Sequence, residues 1–529
     1  MLIIGGGITG AGIARDAAMR GLKTVLVDQS DFSAGTSSRS SRLIHGGLRY
    51  LEQYDFRLVF EALSERRILL TIAPHLVRPL PFVFPVHRGD RVPLWKLAAG
   101  VWLYAALALF RNVGGVRILG KRGLLAEEPA VRERGLVGGV HYFDAQCDDA
   151  RLVLATLRSA VRHGARVANY AQVEALERSD GVVRGARVRD LVTGESATIH
   201  ATIVVNATGP WTDAIRALES PDIQPMLRTT KGAHVMVRRE RLGHNAAITM
   251  TSPIDGRVMF AVPWGEFSYI GTTDTDSAEP PDRVGVSPED VVYLLRTANA
   301  YFPNAHLTED DILSAWAGLR ALIAEAGAIS PSAVHREHQI VRGAGGMFTI
   351  AGGKLTTYRR MAAELVDQVV QELHRLDGRP AAKAPPTGEE PLPGGEARDL
   401  ETFRMSGVEL GLRAETVDHL LRHYGTEAAA IYNLVREQRD LMTPLESSHP
   451  AIEAEVIHVT RREFAQHLDD VLLRRIHLYY ETEDHGANAA RRVAELMAPE
   501  LGWDEARIDA EAERYGRALR NEWGTHGEP

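Results

Sequence analysis

Three consecutive glycines close an apolar run at the head of the chain, and they constrain the fold more than any other feature. Leu2-Ile3-Ile4 leads into Gly5-Gly6-Gly7-Ile8-Thr9-Gly10, a helix-like segment follows from Ile8 to Arg20, and Thr24-Val25-Leu26-Val27 reads as a second buried strand ending at Asp28. Strand, glycine turn, helix, strand and acidic residue in that order are the βαβ signature of dinucleotide binding. Gly5 permits the tight turn, Gly7 lets the backbone approach a pyrophosphate, and Gly10 allows close helix packing, while the helix amide end stabilises the phosphates. Asp28 is placed to accept the hydroxyls of an adenosine ribose. A glycine-rich turn without a ligand would explain the hexad alone, but not its setting. The hexad does not distinguish a nicotinamide from a flavin.

Size and charge narrow the field. A chain of 529 residues exceeds one hydrophobic core, so two or three domains are expected. A formal net charge of -8 argues against nucleic-acid binding, which needs a concentrated cationic surface. The single cysteine, Cys147, excludes an intrachain disulfide and a cysteine metal cluster, no metal is expected, and a reducing, cytoplasmic setting fits. No charged region with an apolar core precedes the first motif, so no secretory signal is expected, and the short first strand leaves room for an upstream start. Leu94 to Phe110 is strongly apolar but short for a membrane span and contains Lys96. It reads as a buried helix; the alternative is a helix lying in one leaflet with Trp95, Trp102 and Tyr104 at the interface.

Pattern along the chain divides it further. Runs at Arg166 to Val173, Gly185 to Val192, Ala201 to Asn206 and Phe348-Thr349-Ile350 suggest a nucleotide domain assembled from distant segments, here 1–75, 145–215 and 315–377. Alternating runs at His234 to Val237, Arg257 to Val262 and Tyr269 to Thr273 suit an inserted antiparallel substrate domain, 76–144 and 216–314. Met361 to Leu376 is helical in spacing. Residues 378–395, rich in Pro and Gly, read as a linker without regular structure. Residues 396–529 read as an all-helical domain, with Phe464 to Tyr480 a helix presenting Leu468, Val471, Leu472 and Ile476 on one face. The fold class expected is α/β and α+β: a glutathione-reductase-type Rossmann domain, an inserted antiparallel domain and a C-terminal helical domain.

The second motif, Gly35 to Tyr50, decides between cofactors. Its small hydroxyl residues, with Thr36, Ser37, Ser38 and Ser41 foremost, suit packing against a pyrophosphate and a broad isoalloxazine, and Leu43, Ile44 and Leu48 do not belong in a merely flexible loop. Asn206 to Trp211 ends a strand in small residues, with Ala207 and Gly209 open to close approach. Gly352-Gly353-Lys354-Leu355-Thr356 repeats the strand, glycine, helix logic, and a helix start there would favour negative charge on a flavin.

These motifs closely resemble those of FAD-dependent glycerol-3-phosphate dehydrogenases, in the D-amino-acid-oxidase-like flavoprotein superfamily. The likeness covers IGGGITGAGIARDAAMRGL, GTSSRSSRLIHGGLRYLE, DDARLVLA, VNATGPW, KGAH, IGTTD, GLR, REH and GGKLTTYRR, and reaches LDDVLLRR in the tail. It departs at Ala321, where the family pattern leads to Pro. The resemblance implies a substrate pocket of Arg49, Tyr50, His234, Thr273, Arg320, Arg336, Lys354 and Thr356. A phosphomonoester dianion needs several fixed cations, and Arg49, Arg320 and Arg336 are the candidates, although the usual fate of a single Arg is a surface ion pair. Loss of the C2 hydroxyl proton requires a base near neutrality, and His45 and His234 qualify by type; Lys354 and Arg320 would polarise the alcohol instead. FAD is expected to be noncovalent, since Cys147 lies far in sequence from the flavin motifs. The resemblance further implies glycerol 3-phosphate as substrate, a membrane quinone as acceptor, a peripheral position on the inner face of the cell membrane, and room for a homo-oligomer. The competing readings are an oxidase releasing peroxide, an amino-acid or 2-hydroxy-acid enzyme on the same fold, and a flavin-binding protein without turnover.

Overall fold

The computed structural model describes residues 1–48, 51, 54–108, 114–324, 337–378 and 382–520. The first glycine motif opens a six-stranded sheet whose strands run, in spatial order, His338–Arg342, Phe348–Gly352, Val204–Asn206, Leu2–Ile4, Val25–Val27 and Arg166–Ala168. All neighbours pair in parallel except the edge strand His338–Arg342. The four inner strands are short, mostly buried and largely apolar, as a parallel sheet covered on both faces demands, while the edge strands Arg166–Ala168 and His338–Arg342 are partly exposed.

Helix Ile8–Met19 lies on this sheet between helices Asp149–Arg162 and Tyr358–Asp377. Its close approach depends on Gly10: a Cβ there would stand 1.9 Å from the Gly5 carbonyl oxygen. Around it Ile13, Ala14, Leu152, Leu157, Leu365 and Val369 are fully excluded from water, and each large aliphatic side chain contributes about 1.5–3 kcal/mol.

A ten-stranded sheet forms the second layer and includes Leu227–Arg238, Phe267–Gly271, Val258–Trp264, Ala247–Thr251, Val77–His87 and Leu136–Cys147. It is antiparallel, as the alternating runs imply, except where Ala247–Thr251 pairs in parallel with Val77–His87. These two strands are far apart in sequence, so a long crossover can bring them side by side in the same direction. Strand Ile312–Ile323, assigned from residue 315 to the nucleotide segment, instead pairs along Leu227–Arg238 from Ile323 opposite Leu227 to Ile312 opposite Val237.

Helix Leu94–Leu107 is buried on one face only. Leu97, Ala98, Val101, Tyr104 and Ala105 pack inward, while Trp95 is 73% exposed and Trp102 50%. Tyr104 stands at no interface: its hydroxyl donates to Asp144 at 2.9 Å. No helix among the described residues is long and apolar enough to cross a membrane.

Residues 382–400 form no helix or strand, as their prolines and glycines require. They are nonetheless held down: Arg15 donates to the carbonyls of Thr387 (2.7 Å) and Glu390 (2.8 Å), Leu392 donates to Ile72 O, and Leu392 is fully buried. Beyond them the regular elements are helical, from Glu401–Glu409 to Glu505–Ala518. The single helix expected over Phe464 to Tyr480 is two, Leu468–Arg474 and Leu478–Glu481, separated by His477 at φ 67°. Phe464 also has a left-handed φ of 62°, and the Asp470 carboxylate accepts the Gln466 and His467 amides, which starts the first of them at Leu468.

Candidate active site

Two cavities meet in the middle of the molecule. The first, about 450 Å³, has Gly5, Gly7, Asp28, Thr36, Ser37 and Ala207 on its wall. Ser41, Leu43, Gly209, Gly353, Lys354, Leu355 and Thr356 complete the sequence-derived set found there. Gly7, the N-cap of helix Ile8–Met19, has no side chain to cap it and the first turn holds no acid, so this end favours phosphate although Ser37 Oγ takes the Ile8 amide. Asp28 accepts from the Gly6 amide at 2.6 Å and from the Ser30 amide at 2.8 Å. Burial pushes its carboxyl up to about 6 despite those two bonds. A dinucleotide of the FAD type fits this wall: glycine backbone and a helix end for the pyrophosphate, a half-buried carboxylate for ribose.

Two residues of these motifs lie off the cavity wall, Gly10 among them in the role expected of it from the sequence. Gly10 serves helix packing, and Ser38 is buried off the wall. The glycine and hydroxyl motifs are tied to one another. Ile8 N donates to Ser37 Oγ at 3.0 Å, Thr36 Oγ1 donates to Leu319 O at 2.6 Å, and Thr356 Oγ1 bridges the His45 amide and carbonyl.

The second cavity, about 600 Å³, shares Ser41, Leu43, His45 and Arg320 with the first. Arg320 Nη1 donates to Asp274 Oδ1 at 3.0 Å and Nη2 to Thr272 Oγ1 at 2.9 Å, while Arg257 reaches the other Asp274 oxygen at 2.7 Å. Burial works to raise the Asp274 carboxyl, yet the Arg320 and Arg257 charges bring it below the usual range. Two guanidinium groups against one carboxylate leave a net positive wall suited to an anion. Thr273 lies off both walls, its hydroxyl accepting from the Ala233 amide at 2.9 Å; its neighbour Thr272 takes the place on the wall. Arg49, Tyr50 and Arg336 lie outside the described residues.

His234 lines the first cavity, its Nε2 2.9 Å from Ser41 Oγ and its ring stacked on Trp316 with centroids 5.0 Å apart. Gly271 makes room for it, since a Cβ there would fall 2.0 Å from the ring. Burial, then the charges of Arg320 and Arg42, hold the imidazole well below its ordinary value, so His234 is neutral at pH 7. Arg257 and Asp274 escaped the sequence reading as site residues; Asp274 closes the IGTTD motif, the one signal that pointed there.

Comparison with known proteins agrees with this geometry. The model of the family "FAD dependent oxidoreductase" matches residues 1–359, and that of "C-terminal domain of alpha-glycerophosphate oxidase" matches residues 385–508. The chain is 39% identical to glycerol-3-phosphate dehydrogenase 2 of Mycobacterium bovis, over 100% of its own length and 89% of that protein's. It is 35% identical to the aerobic glycerol-3-phosphate dehydrogenase of Staphylococcus aureus, over 100% of the chain and 96% of that protein. Among solved structures, the glycerol-3-phosphate dehydrogenase from Bacillus halodurans complexed with FAD superposes with a TM-score of 0.80 at 31% identity, covering 98% of this chain and 94% of that one.

Proposed function

The chain belongs to the FAD-dependent glycerol-3-phosphate dehydrogenase family, and on that premise we propose that it oxidises sn-glycerol 3-phosphate to dihydroxyacetone phosphate. Its cofactor is FAD, bound noncovalently along the first cavity, with the substrate in the second. The observation that carries this reading is that Ser41, Leu43, His45 and Arg320 stand on both walls. When bound, FAD supplies the two-electron acceptor for the hydride leaving C2.

The protein's part is to bind, orient and deprotonate. Arg320 and Arg257 hold the phosphate, and Asp274 fixes the direction of both forks. His45 and His234 are the groups able to take the C2 hydroxyl proton. A bound dianion offsets the Arg320 charge that depresses His234, so substrate itself raises the basicity of that imidazole. Lys354 polarises the alcohol, with Thr356 beside it, and helix Tyr358–Asp377 directs its positive end at that wall.

Electrons then pass to a membrane quinone, with the chain lying against the inner face of the cell membrane. The exposed Trp95 and Trp102 beside the second cavity's Lys96 and Leu103 support this placement. Anaerobic addition of glycerol 3-phosphate is expected to bleach the bound flavin, and a quinone analogue to restore its colour. A flavin that stays yellow overturns the substrate, and stoichiometric peroxide release in air at full turnover overturns the quinone.

A further inference from the structure

Where the C-terminal helices meet the nucleotide-binding body, Asp148, His423 and His477 converge, and the oxidation of an alcohol has no use for them. Asp148 precedes helix Asp149–Arg162, and its Oδ1 accepts the Arg151 amide at 3.1 Å as a cap, which leaves Oδ2 free to face the two imidazoles. His477 sits in the left-handed turn between two short helices and gives its Nδ1 proton to Leu473 O at 2.8 Å. His423, in the last turn of helix Ala414–Tyr424, gives its Nδ1 proton to His419 O at 2.9 Å.

Each ring gives its Nδ1 proton to a backbone carbonyl and faces Asp148 Oδ2 with Nε2, which lies 3.8 Å away in His423 and in His477 is hydrogen-bonded at 2.6 Å through a proton that the Asp148 charge favours and that a metal ion would displace. The three ligand atoms lie within 4.8 Å of one another, and all three residues are buried. One proton can serve the His477 and Asp148 contact. Among the described residues His423 Nε2 then has only its 3.8 Å approach to Asp148 Oδ2.

We propose that Asp148, His423 and His477 bind one divalent transition-metal ion of zinc type, which pins the C-terminal helices to the body. Two neutral nitrogens and a carboxylate oxygen are the donors such ions prefer, and a ligating histidine commonly gives its other ring N–H to a carbonyl, as both do here. The nearby cations do not forbid a further charge. Arg151 is paired bidentately with Glu463, at 2.7 and 3.1 Å, and Arg42 faces Asp149 at 4.0 Å and the rings of Trp264, Trp316 and Tyr480. Asp148 and His423 also line a cavity of about 840 Å³ at the same seam, which gives the ion an entry and room for water as a fourth ligand. No metal was expected from the sequence, where only a cysteine cluster would have signalled one, whereas this set joins His477 to an aspartate 329 positions away.

Holoenzyme stripped with a chelator and dialysed against zinc is expected to retain one zinc per chain by elemental analysis. X-ray absorption at the zinc edge should find two imidazoles and an oxygen around it. His423→Gln should keep its flavin, bind zinc more than about 10-fold more weakly, and lose the rise in Tm that zinc gives the unaltered chain. No stoichiometric zinc in the unaltered chain, a coordination sphere without imidazoles, or equal retention by His423→Gln overturns the site and leaves a proton as its only occupant. Should His423→Gln fail to fold, the absorption spectrum of the unaltered chain decides.

Discussion

Replacing Arg320 by alanine removes a guanidinium that borders both cavities while leaving the glycine wall untouched. Loss of a charge-assisted contact costs about 1.5–3 kcal/mol, so kcat/KM for glycerol 3-phosphate should fall ~10- to 150-fold with flavin content unchanged; a colourless variant would move Arg320 to the cofactor. Asp28 carries a pH signature. Its carboxyl is raised to about 6 from 3.8, so the fold favours the protonated form, and ionisation destabilises the FAD-free protein as pH rises through that window. Ribose hydroxyls donate to the carboxylate and favour the charged form, so FAD affinity should weaken as pH falls through about 6. Fluorescence titration of Asp28→Asn should show weaker binding with that pH dependence gone. Asp28 was legible in the sequence because its signal is local, a fixed step from the glycines at the end of the next strand. Arg257 and Asp274 were not, because only the register of the second sheet brings them to Arg320.

Elements were readable where a single periodicity governs them. The strand at Leu2–Ile4 and the helix after it follow from apolar runs and glycines, and Gly10→Ala tests their contact. A methyl 1.9 Å from the Gly5 oxygen forces helix and strand apart, at a cost of about 1–3 kcal/mol, and the variant should purify with reduced FAD by absorbance. Periodicity failed over Phe464 to Tyr480, where the apolar spacing is helical but the His477 turn is imposed by packing against Asp148. It half succeeded for Leu94–Leu107, whose sequence is apolar nearly all round although only one face is buried among the described residues. Trp95→Ser with Trp102→Ser should leave solution activity with a soluble acceptor intact and reduce flotation with anionic vesicles; undiminished flotation would rule this helix out as the lipid contact.

At the scale of the whole molecule, buried charge joins the tail to the body. Asp31, in the loop after the second strand, accepts from Arg475 Nη2 at 2.9 Å and from Arg474 Nε at 2.5 Å, and Arg475 is fully enclosed. Taking away one partner strands the others without water, at a cost of about 3–5 kcal/mol. Asp31→Ala should therefore lower Tm by several degrees, whereas truncating the exposed Glu505, paired with Arg491, should scarcely move it. None of this could be read from residues alone, since an aspartate and an arginine 444 positions apart carry no mutual pattern. The stretch held by Arg15 follows the same logic. Its prolines look like a hinge, but Thr387 and Leu392 are sealed against the body, while Lys383 is among the positions between and around them that reach solvent. Tryptic cleavage after Lys383 would cut a covalent thread without separating what it joins, and the two pieces would travel as one particle: here peptide continuity records the order of synthesis, not the means of cohesion.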